Sequence, residues 1–262
     1  ATDIAGRYTA GQSDHLPNAL MTYIAAADGN WSDAIWKVYD VDTQQSIGNF
    51  VKPSSMSGCA VIIDADVTMS ADDNNIKMSS LVINEGKTLN VGTTRNNQVG
   101  HISGTGTLKV EDGDAVPSGV YDDFFDVGGG TIEYGGSTDY NVFVTTVYAN
   151  NVIFSGTGNR TLRSDRNIQV SGNVTINGAT LVFNGKNLTL LGNLNINGGH
   201  STGTGSLVLA GSLEQKIAST ETITMTGIEI DNQNGVVANC DVKLSKLKLI
   251  NGVLKLGDNN II

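Results

Sequence analysis

The sequence predicts an all-β fold, a parallel β-solenoid of short strands with a cap at its N-terminal end. The strongest observation is a repeat, because SGNVTING at residues 171–178 returns twenty residues later as LGNLNING at 191–198. Apolar and polar residues alternate inside each copy, which is the period of a β-strand. Each copy ends in Asn-Gly, a pair suited to tight turns. The chain is therefore expected to turn every few residues and to stack on itself.

Composition and charge narrow the class of protein. With 32 glycines, 3 prolines and 16% charged residues among 262, the chain is neither a proline-rich linker nor a charge-driven disordered segment. The formal net charge of −10 repels phosphate backbones, so nucleic acid is not an expected partner. No apolar segment approaches the roughly 18 to 20 residues of a membrane-spanning helix, so no membrane span is expected.

Residues 1–55 differ in composition and are predicted to form an N-terminal cap region. Trp31 and Trp36, the only tryptophans, lie here with two of the three prolines. The first coil of a solenoid exposes an apolar end and an unpaired strand edge, which need a cover. We expect the two tryptophans to fill that end, and carbohydrate stacking is the alternative role for them.

Residues 56–262 are predicted to form the parallel β-helix. Short β-branched segments begin at Cys59, and Ile-Asn-Gly returns at 250–252. Cys59 and Cys240 would lie about 40 Å apart at about 4.8 Å per coil, so both are expected to be buried thiols without a disulfide. Strand alternation persists to Ile262 without a polar cap, and the natural protein is therefore expected to continue beyond that residue.

Residues 111–136 interrupt the repeat and are predicted to form a loop excursion from the coil wall. Calcium takes several oxygen ligands from flexible loops, so a weak calcium site is one interpretation of the aspartates here, and a solvated acidic loop is the other. The segment matches neither the EF-hand loop nor the nonapeptide calcium repeat. No other cofactor is predicted. The candidate ligands are Asp112, Asp114, Asp122, Asp123 and Asp126.

No catalytic residue is predicted. Residues 199–203, GHSTG, match the pattern of a nucleophile elbow, but that motif needs a following helix, and a strand-like segment follows here. His101 and His200 each stand three residues before a Gly-Thr-Gly and are 99 residues apart, which is too far along a solenoid to share a metal ion. Equivalent polar positions such as Thr175 and Asn195 indicate ladders that stiffen the fold.

Three segments carry a resemblance to a known family. GNWSDAIW at 29–36, SLVINEGKTLNVG at 80–92 and NVTINGATLVFNGKNLTLLGNLNING at 173–198 resemble large secreted surface proteins of Bacteroidetes that leave by the type IX secretion system, over roughly residues 29–262. The resemblance implies a right-handed parallel β-helix, an extracellular or outer-surface location, and a role as stalk or adhesin. It also implies the secretion machinery as a partner, through a C-terminal sorting domain outside this sequence. The matched motifs contain no catalytic residues, so none is carried over.

These observations predict a non-catalytic, extracellular structural or adhesive β-solenoid, the N-terminal part of a larger surface protein. Surface glycans or other cell-surface proteins are its expected targets. The alternative is a carbohydrate-binding or polysaccharide-cleaving β-helix, since the fold alone does not decide function. Its site would lie beside residues 111–136, where Tyr121, Phe124, Phe125 and Tyr134 supply aromatic rings.

Overall fold

The computed structural model describes residues 21–52, 58–142 and 148–262. Nearly all of its regular structure is β, and parallel strands stack into a solenoid of about ten turns. The predicted all-β parallel solenoid is therefore confirmed. No helix in the described part of the chain has the length and apolarity needed to cross a membrane.

The strands are short, most of them two to five residues long. One α-helix, α1 (Asp122–Phe125), and a 3-10 helix at Gly113–Ala115 accompany them among the described residues. In chain order the strands are β1 (Thr22–Ala25), β2 (Gly29–Asn30), β3 (Trp36–Asp40), β4 (Gln45–Val51), β5 (Ala60–Ile63), β6 (Val67–Thr68), β7 (Lys77–Met78), β8 (Ser80–Ile83), β9 (Thr88–Asn90), β10 (Gln98–Gly104), β11 (Thr107–Val110), β12 (Ser118–Val120), β13 (Thr131–Tyr134), β14 (Tyr140–Asn141), β15 (Tyr148–Ala149), β16 (Asn151–Ser155), β17 (Asn159–Thr161), β18 (Ile168–Val170), β19 (Val174–Asn177), β20 (Thr180–Val182), β21 (Leu188–Leu190), β22 (Leu194–Asn197), β23 (His200–Thr202), β24 (Leu207–Leu209), β25 (Gln215–Ala218), β26 (Ile223–Asp231), β27 (Val236–Ala238), β28 (Val242–Asn251) and β29 (Leu254–Lys255).

Three sheets form the walls of the solenoid. The first has the order β12-β10-β8-β5-β1-β3-β4, with β7 paired to β10, and it covers the N-terminal half. The second, β2-β6-β9-β11-β13-β16-β19-β22-β25-β27-β29, runs through every turn. The third, β14-β17-β20-β23-β26-β24-β21-β18-β15, covers the C-terminal half, with β28 paired to β26. Val174 of β19 lies opposite Leu194 of β22, so the repeat of twenty residues is one turn.

Alternation along each strand decides which side chains fill the interior. Val174 and Ile176 of β19 are fully buried, whereas Thr175 between them is partly exposed on the outer face. The interior is therefore a stack of apolar rows, and each fully buried aliphatic side chain contributes about 1.5–3 kcal/mol. Aromatic rings join the stack where Tyr134 lies on Phe154 with ring centroids 5.9 Å apart.

An antiparallel hairpin extends the first sheet at its N-terminal end. β3 pairs with the outer edge of β1 and β4 pairs with β3, so the edge of β1 is covered. Trp31 and Trp36 are buried with ring centroids 4.9 Å apart, and Trp36 Nε1 donates to the carbonyl of Trp31 at 2.9 Å. Their predicted place in the core is confirmed. β1 and β2 already pair in parallel with β5 and β6, so the first turn begins within residues 1–55; residues 1–20 and 53–57 lie outside the described part.

Residues 111–136 depart from the wall less than the predicted loop excursion. β12 pairs in parallel with β10, and β13 pairs with β11 and β16, so the segment completes one turn. The excursion is confined to the 3-10 helix and α1. Phe124 and Phe125 of α1 are buried, and Tyr121 stacks on Phe125 with ring centroids 5.0 Å apart. β12 is only three residues long and is flanked by aspartates and glycines, so the sequence pattern did not indicate a strand there.

Cys59 and Cys240 are both buried, and neither forms a disulfide, as predicted. Burial raises the pKa of the Cys59 thiol to about 11. Burial and the neighbouring Asp241 raise the pKa of Cys240. Both thiols are therefore protonated at neutral pH and pack as small apolar groups.

Candidate functional site

The structure does not gather the five aspartates that were predicted as calcium ligands. Within residues 21–52, 58–142 and 148–262, no group of three or more His, Cys, Asp or Glu side chains is arranged to hold a metal ion. Asp112 accepts from the amide of Asp114 at 2.9 Å and pairs with Arg95 at 2.8 Å. Burial raises the pKa of Asp112, but the bonds from Asp114 and Arg95 outweigh it, and the net shift is downward. Asp112 therefore acts as a helix cap and ion-pair partner.

The other three aspartates surround α1. Asp123 lies 3.2 Å from Nε2 of His101, and both side chains are exposed. Asp126 accepts from the amide of Val127 at 2.7 Å, and Asp122 is exposed at the start of α1. The side chains of Asp123 and Asp126 thus bond to different partners. Calcium binding by the acidic segment stays a prediction.

Ser201, the central residue of the GHSTG segment, lies in a strand. It is 2% exposed within β23, and its Oγ accepts from the amide of Thr226 at 3.0 Å. The serine therefore ties two successive turns together instead of standing on a strand-to-helix turn. His200 beside it is exposed, with Nε2 3.3 Å from Oγ1 of Thr180 on the previous turn.

Asparagine side chains form a hydrogen-bonded ladder along the second sheet. Asn151 Oδ1 accepts from the amide of Asn173 at 2.7 Å, and Asn173 Oδ1 accepts from the amide of Asn193 at 2.8 Å. Asn193 Oδ1 then accepts from the amide of Lys216 at 2.8 Å. Each bond joins one turn to the next, so side chains extend the backbone pairing into the corner between strands. Backbone amides at this corner would otherwise rely on water.

A second ladder follows another corner. Asn167 Oδ1 accepts from the amide of Asn187 at 3.1 Å, and Asn187 Oδ1 accepts from the amide of Ser206 at 3.0 Å. Carboxylates take the same role elsewhere, for instance Asp139 toward the amide of Asn159 at 2.7 Å. The polar positions Thr175 and Asn195 are in register, but the hydrogen-bonded asparagines of this repeat, Asn173 and Asn193, come directly before the strands. The signal was the Gly-Asn pair that begins each copy of the repeat.

Substitution of Asn173 tests the ladder. Asn173→Ala removes the acceptor for the Asn193 amide, and we expect a loss of about 1 kcal/mol in the free energy of unfolding. Asn173→Asp keeps the acceptor, as Asp139 does naturally, and should stay close to the wild type. Asn195→Ala, on the outer face of the adjacent strand, is the matched control. Urea denaturation measures all three; an Asn173→Ala variant as stable as the control would show that the ladder bonds contribute nothing.

Arg160 occupies an interior position that sequence reasoning missed. It is fully buried, and its guanidinium lies over the Tyr140 ring, with Cζ 4.4 Å from the ring centroid. Burial lowers the pKa of Arg160 below its ordinary value. The group donates to six carbonyl oxygens, those of Tyr134, Gly135, Gly136, Thr138, Ser155 and Asn159. Arg160 thus fastens the turn after β13 to the next coil.

Two clefts adjoin beside residues 111–136. One of about 500 Å³ includes Asn96, Gln98 and Asp114. The other, of about 470 Å³, includes Asp114, Arg163 and Asp165. Hydrogen bonds from Arg163 and Arg166 hold the pKa of Asp165 well below its usual range. The aromatic rings expected to serve a carbohydrate site here are buried in the core, so they offer no stacking surface; they are Tyr121, Phe124, Phe125 and Tyr134.

The C-terminal end exposes positions that belong to the interior. Leu247 and Leu249 of β28 lie opposite Ile228 and Ile230 of β26. Those isoleucines are fully buried, whereas Leu247 is 37% and Leu249 is 54% exposed. On its other side, among the described residues, β28 pairs only near its start, through the bridge from Val242 to Ile261 and the amide of Leu244, which donates to the carbonyl of Ile262 at 3.3 Å. An apolar cross-section and a long strand edge therefore face solvent at this end.

Lysines border this open end. Lys246 and Lys248 of β28 lie 3.0 and 3.6 Å from the carboxylate of Glu229 on the preceding turn. The Lys246 hydrogen bond lowers the pKa of Glu229, although partial burial opposes it. Edge lysines also discourage indiscriminate pairing between sheet edges. Any strand that pairs with β28 would lie next to the ammonium groups of Lys246 and Lys248.

Comparison with known proteins adds no family. No protein-family model matches the chain, and no curated protein or solved structure matches it. Function is therefore inferred from the geometry of the solenoid and its surfaces.

Proposed function

We propose that the chain is a structural and adhesive β-solenoid of an extracellular surface protein. The observation that carries this proposal is the exposed apolar end beside β28. Leu247 and Leu249 continue the buried interior rows into solvent there. An exposed sheet edge accepts further β-strands. A further β-coil would pack on this edge, which we call the joint.

The resemblance of residues 29–36, 80–92 and 173–198 to type IX secretion substrates supports export to the outer cell surface. A sorting domain elsewhere in the protein would engage the secretion machinery. The ladder from Asn151 to Lys216 supports a stiff rod, because each turn is bonded to the next through side chains as well as backbone. The net charge of −10 favours solubility of that rod outside the cell.

Surface labelling tests the location. Antibody against this chain should label intact source cells, and external protease should remove the signal. Cells without the type IX machinery should retain the protein inside. Labelling only after permeabilisation of otherwise normal cells would contradict the proposal.

A charge at the open end tests the joint. Leu249→Lys should leave the 262-residue chain nearly unchanged, because Leu249 is already 54% exposed. In the assembled surface protein the same change should lower the free energy of unfolding by about 3 kcal/mol, since the added coil would bury the lysine. Val127→Lys is the control, because Val127 is 80% exposed and distant from the joint. Equal, small effects in both proteins would show that nothing packs on Leu249.

Cleavage of a polysaccharide is the second candidate, since Asp114 and Asp165 border one cleft and paired carboxylates serve glycoside hydrolysis. Release of reducing ends from neutral and acidic polysaccharides measures it. Activity that is lost in Asp114→Asn would favour the enzyme over the rod.

A further inference from the structure

An apolar row lies on the outer face of the first sheet, near the capped end. Ile24, Ile62 and Val82 lie opposite one another in β1, β5 and β8. The alternation in β5 and β8 places Ile62 and Val82 outward, because the residues on either side of each are buried. The next residue of the row is Ser103. Ile62 and Val82 are partly exposed, whereas Ile24 is 7% exposed, so two apolar side chains of the row are open to solvent.

The β3–β4 hairpin turns this row into the floor of a groove. Tyr39, Gln44 and Ser46 line the hairpin side, while Asp64 and Asn84 follow β5 and β8 on the other side. The groove measures about 470 Å³, which lies within the range of small-molecule sites. It is separate from the clefts beside residues 111–136 and shares no lining residue with them.

Polar groups around the floor are available to a ligand. Asn84 Nδ2 donates to Asp64 Oδ1 at 2.7 Å, which fixes both side chains and leaves Oδ2 of Asp64 and Oδ1 of Asn84 as acceptors. In the described part of the chain, the side chains of Tyr39, Gln44 and Ser46 make no hydrogen bond within the protein. The groove therefore combines an apolar floor, one aromatic ring and a rim of hydroxyl, amide and carboxylate groups.

We infer that this groove binds a neutral saccharide. A pyranose ring has an apolar C–H face, which suits the isoleucine and valine floor and the ring of Tyr39. Its edge carries hydroxyl groups, which suit the amides of Gln44 and Asn84 and the carboxylate of Asp64.

Charge favours a neutral over an anionic sugar. Asp64 is the charged residue among those that line the groove, and it repels a uronate or sulfate. Lys37 lies beside Ile24 in the sheet, but its Nζ is placed over the Phe50 ring, 4.7 Å from the centroid. The ammonium group of Lys37 therefore packs on Phe50 of the hairpin. The inference supplies a ligand for the adhesive role proposed above and rests on that proposal only for its biological setting.

Calorimetric titration of the 262-residue chain tests the inference. The probes are neutral gluco-, manno- and xylo-oligosaccharides, with an oligogalacturonate as the anionic probe. We expect at least one neutral probe to bind and the anionic probe to bind at least about tenfold more weakly. Tyr39→Ala should weaken the neutral probe about tenfold, and Tyr39→Phe, which keeps the ring, by less.

Two further variants keep the test decisive. Asp64→Ala should weaken binding about tenfold without touching the apolar floor, and Thr175→Ala, on another sheet, should have no effect. The thermal midpoint of each variant reports whether the fold is intact. Failure of every neutral probe to bind, preference for the anionic probe, or unchanged affinity in folded Tyr39→Ala and Asp64→Ala would each overturn the inference. None of these results alters surface location, so they are distinguishable from failure of the proposed function.

Discussion

Replacement of Arg160 by leucine is expected to lower the free energy of unfolding by about 4 kcal/mol. The side chain is fully buried, and no apolar residue can replace its five donors. Leucine would leave buried carbonyl oxygens of two turns without a donor, and each unsatisfied group costs about 1–3 kcal/mol. The buried carbonyls concerned are those of Tyr134, Gly135 and Ser155.

Two further substitutions isolate the cause. Arg160→Lys keeps the charge but has three donors and no planar fork, so its loss should be intermediate. Arg166→Leu removes an exposed partner of Asp165 and should leave the urea midpoint nearly unchanged, because surface ion pairs contribute little. Circular dichroism in urea measures all three variants. Wild-type stability in Arg160→Leu would show that the carbonyls find other donors.

The solenoid could be predicted because its determinants act within one turn. Alternation at Val174 and Ile176 selects the inward face, and Asn-Gly supplies the positive φ that the following turn adopts, 83° at Gly178. The second copy repeats both signals after twenty residues, with φ 75° at Gly198. A single sequence contains all of this, so the fold class follows from it.

Contacts between turns were harder to foresee. Alternation over residues 159–162 places Arg160 inward, opposite Leu181, and this was an available signal. The buried guanidinium is stabilised by backbone carbonyl oxygens that lie 24 to 26 residues earlier in the chain. A local sequence pattern cannot indicate such distant acceptors. The same reason hid the groove, whose floor joins Ile24 to Ile62 across 38 residues.

The acidic segment shows how contacts across turns direct its side chains. Five aspartates lie within fifteen residues, at the 3-10 helix and around α1. Asp112 is drawn to Arg95 on the preceding turn, while Asp123 lies beside His101. In a solenoid, residues one turn apart are closer partners than residues a few positions apart.

Substitution of Ile176 by aspartate should be the most damaging single change among the interior positions of β19. Ile176 is fully buried between Phe154 of the previous turn and Ile196 of the next. The change removes an apolar side chain and places a carboxyl group in a cavity with no donor designed for it. We expect the loss of about 5 kcal/mol or more, and with it the loss of cooperative β-structure.

Thr175→Asp is the matched control, one residue away on the outer face, where Thr175 lies between Ile153 and Asn195. It should change the free energy of unfolding by less than about 1 kcal/mol. A slip of one residue would exchange the two faces, so equal stability of the two variants would contradict the register.

Acidification adds an independent check. Burial should raise the pKa of the new carboxyl at 176 above its unfolded value near 3.9, so its ionisation penalty is fully present above the raised pKa and absent below about 3.9. The stability gap between the two variants should therefore narrow as the pH falls from the raised pKa toward about 4 and stay constant below it, leaving the part due to lost apolar packing.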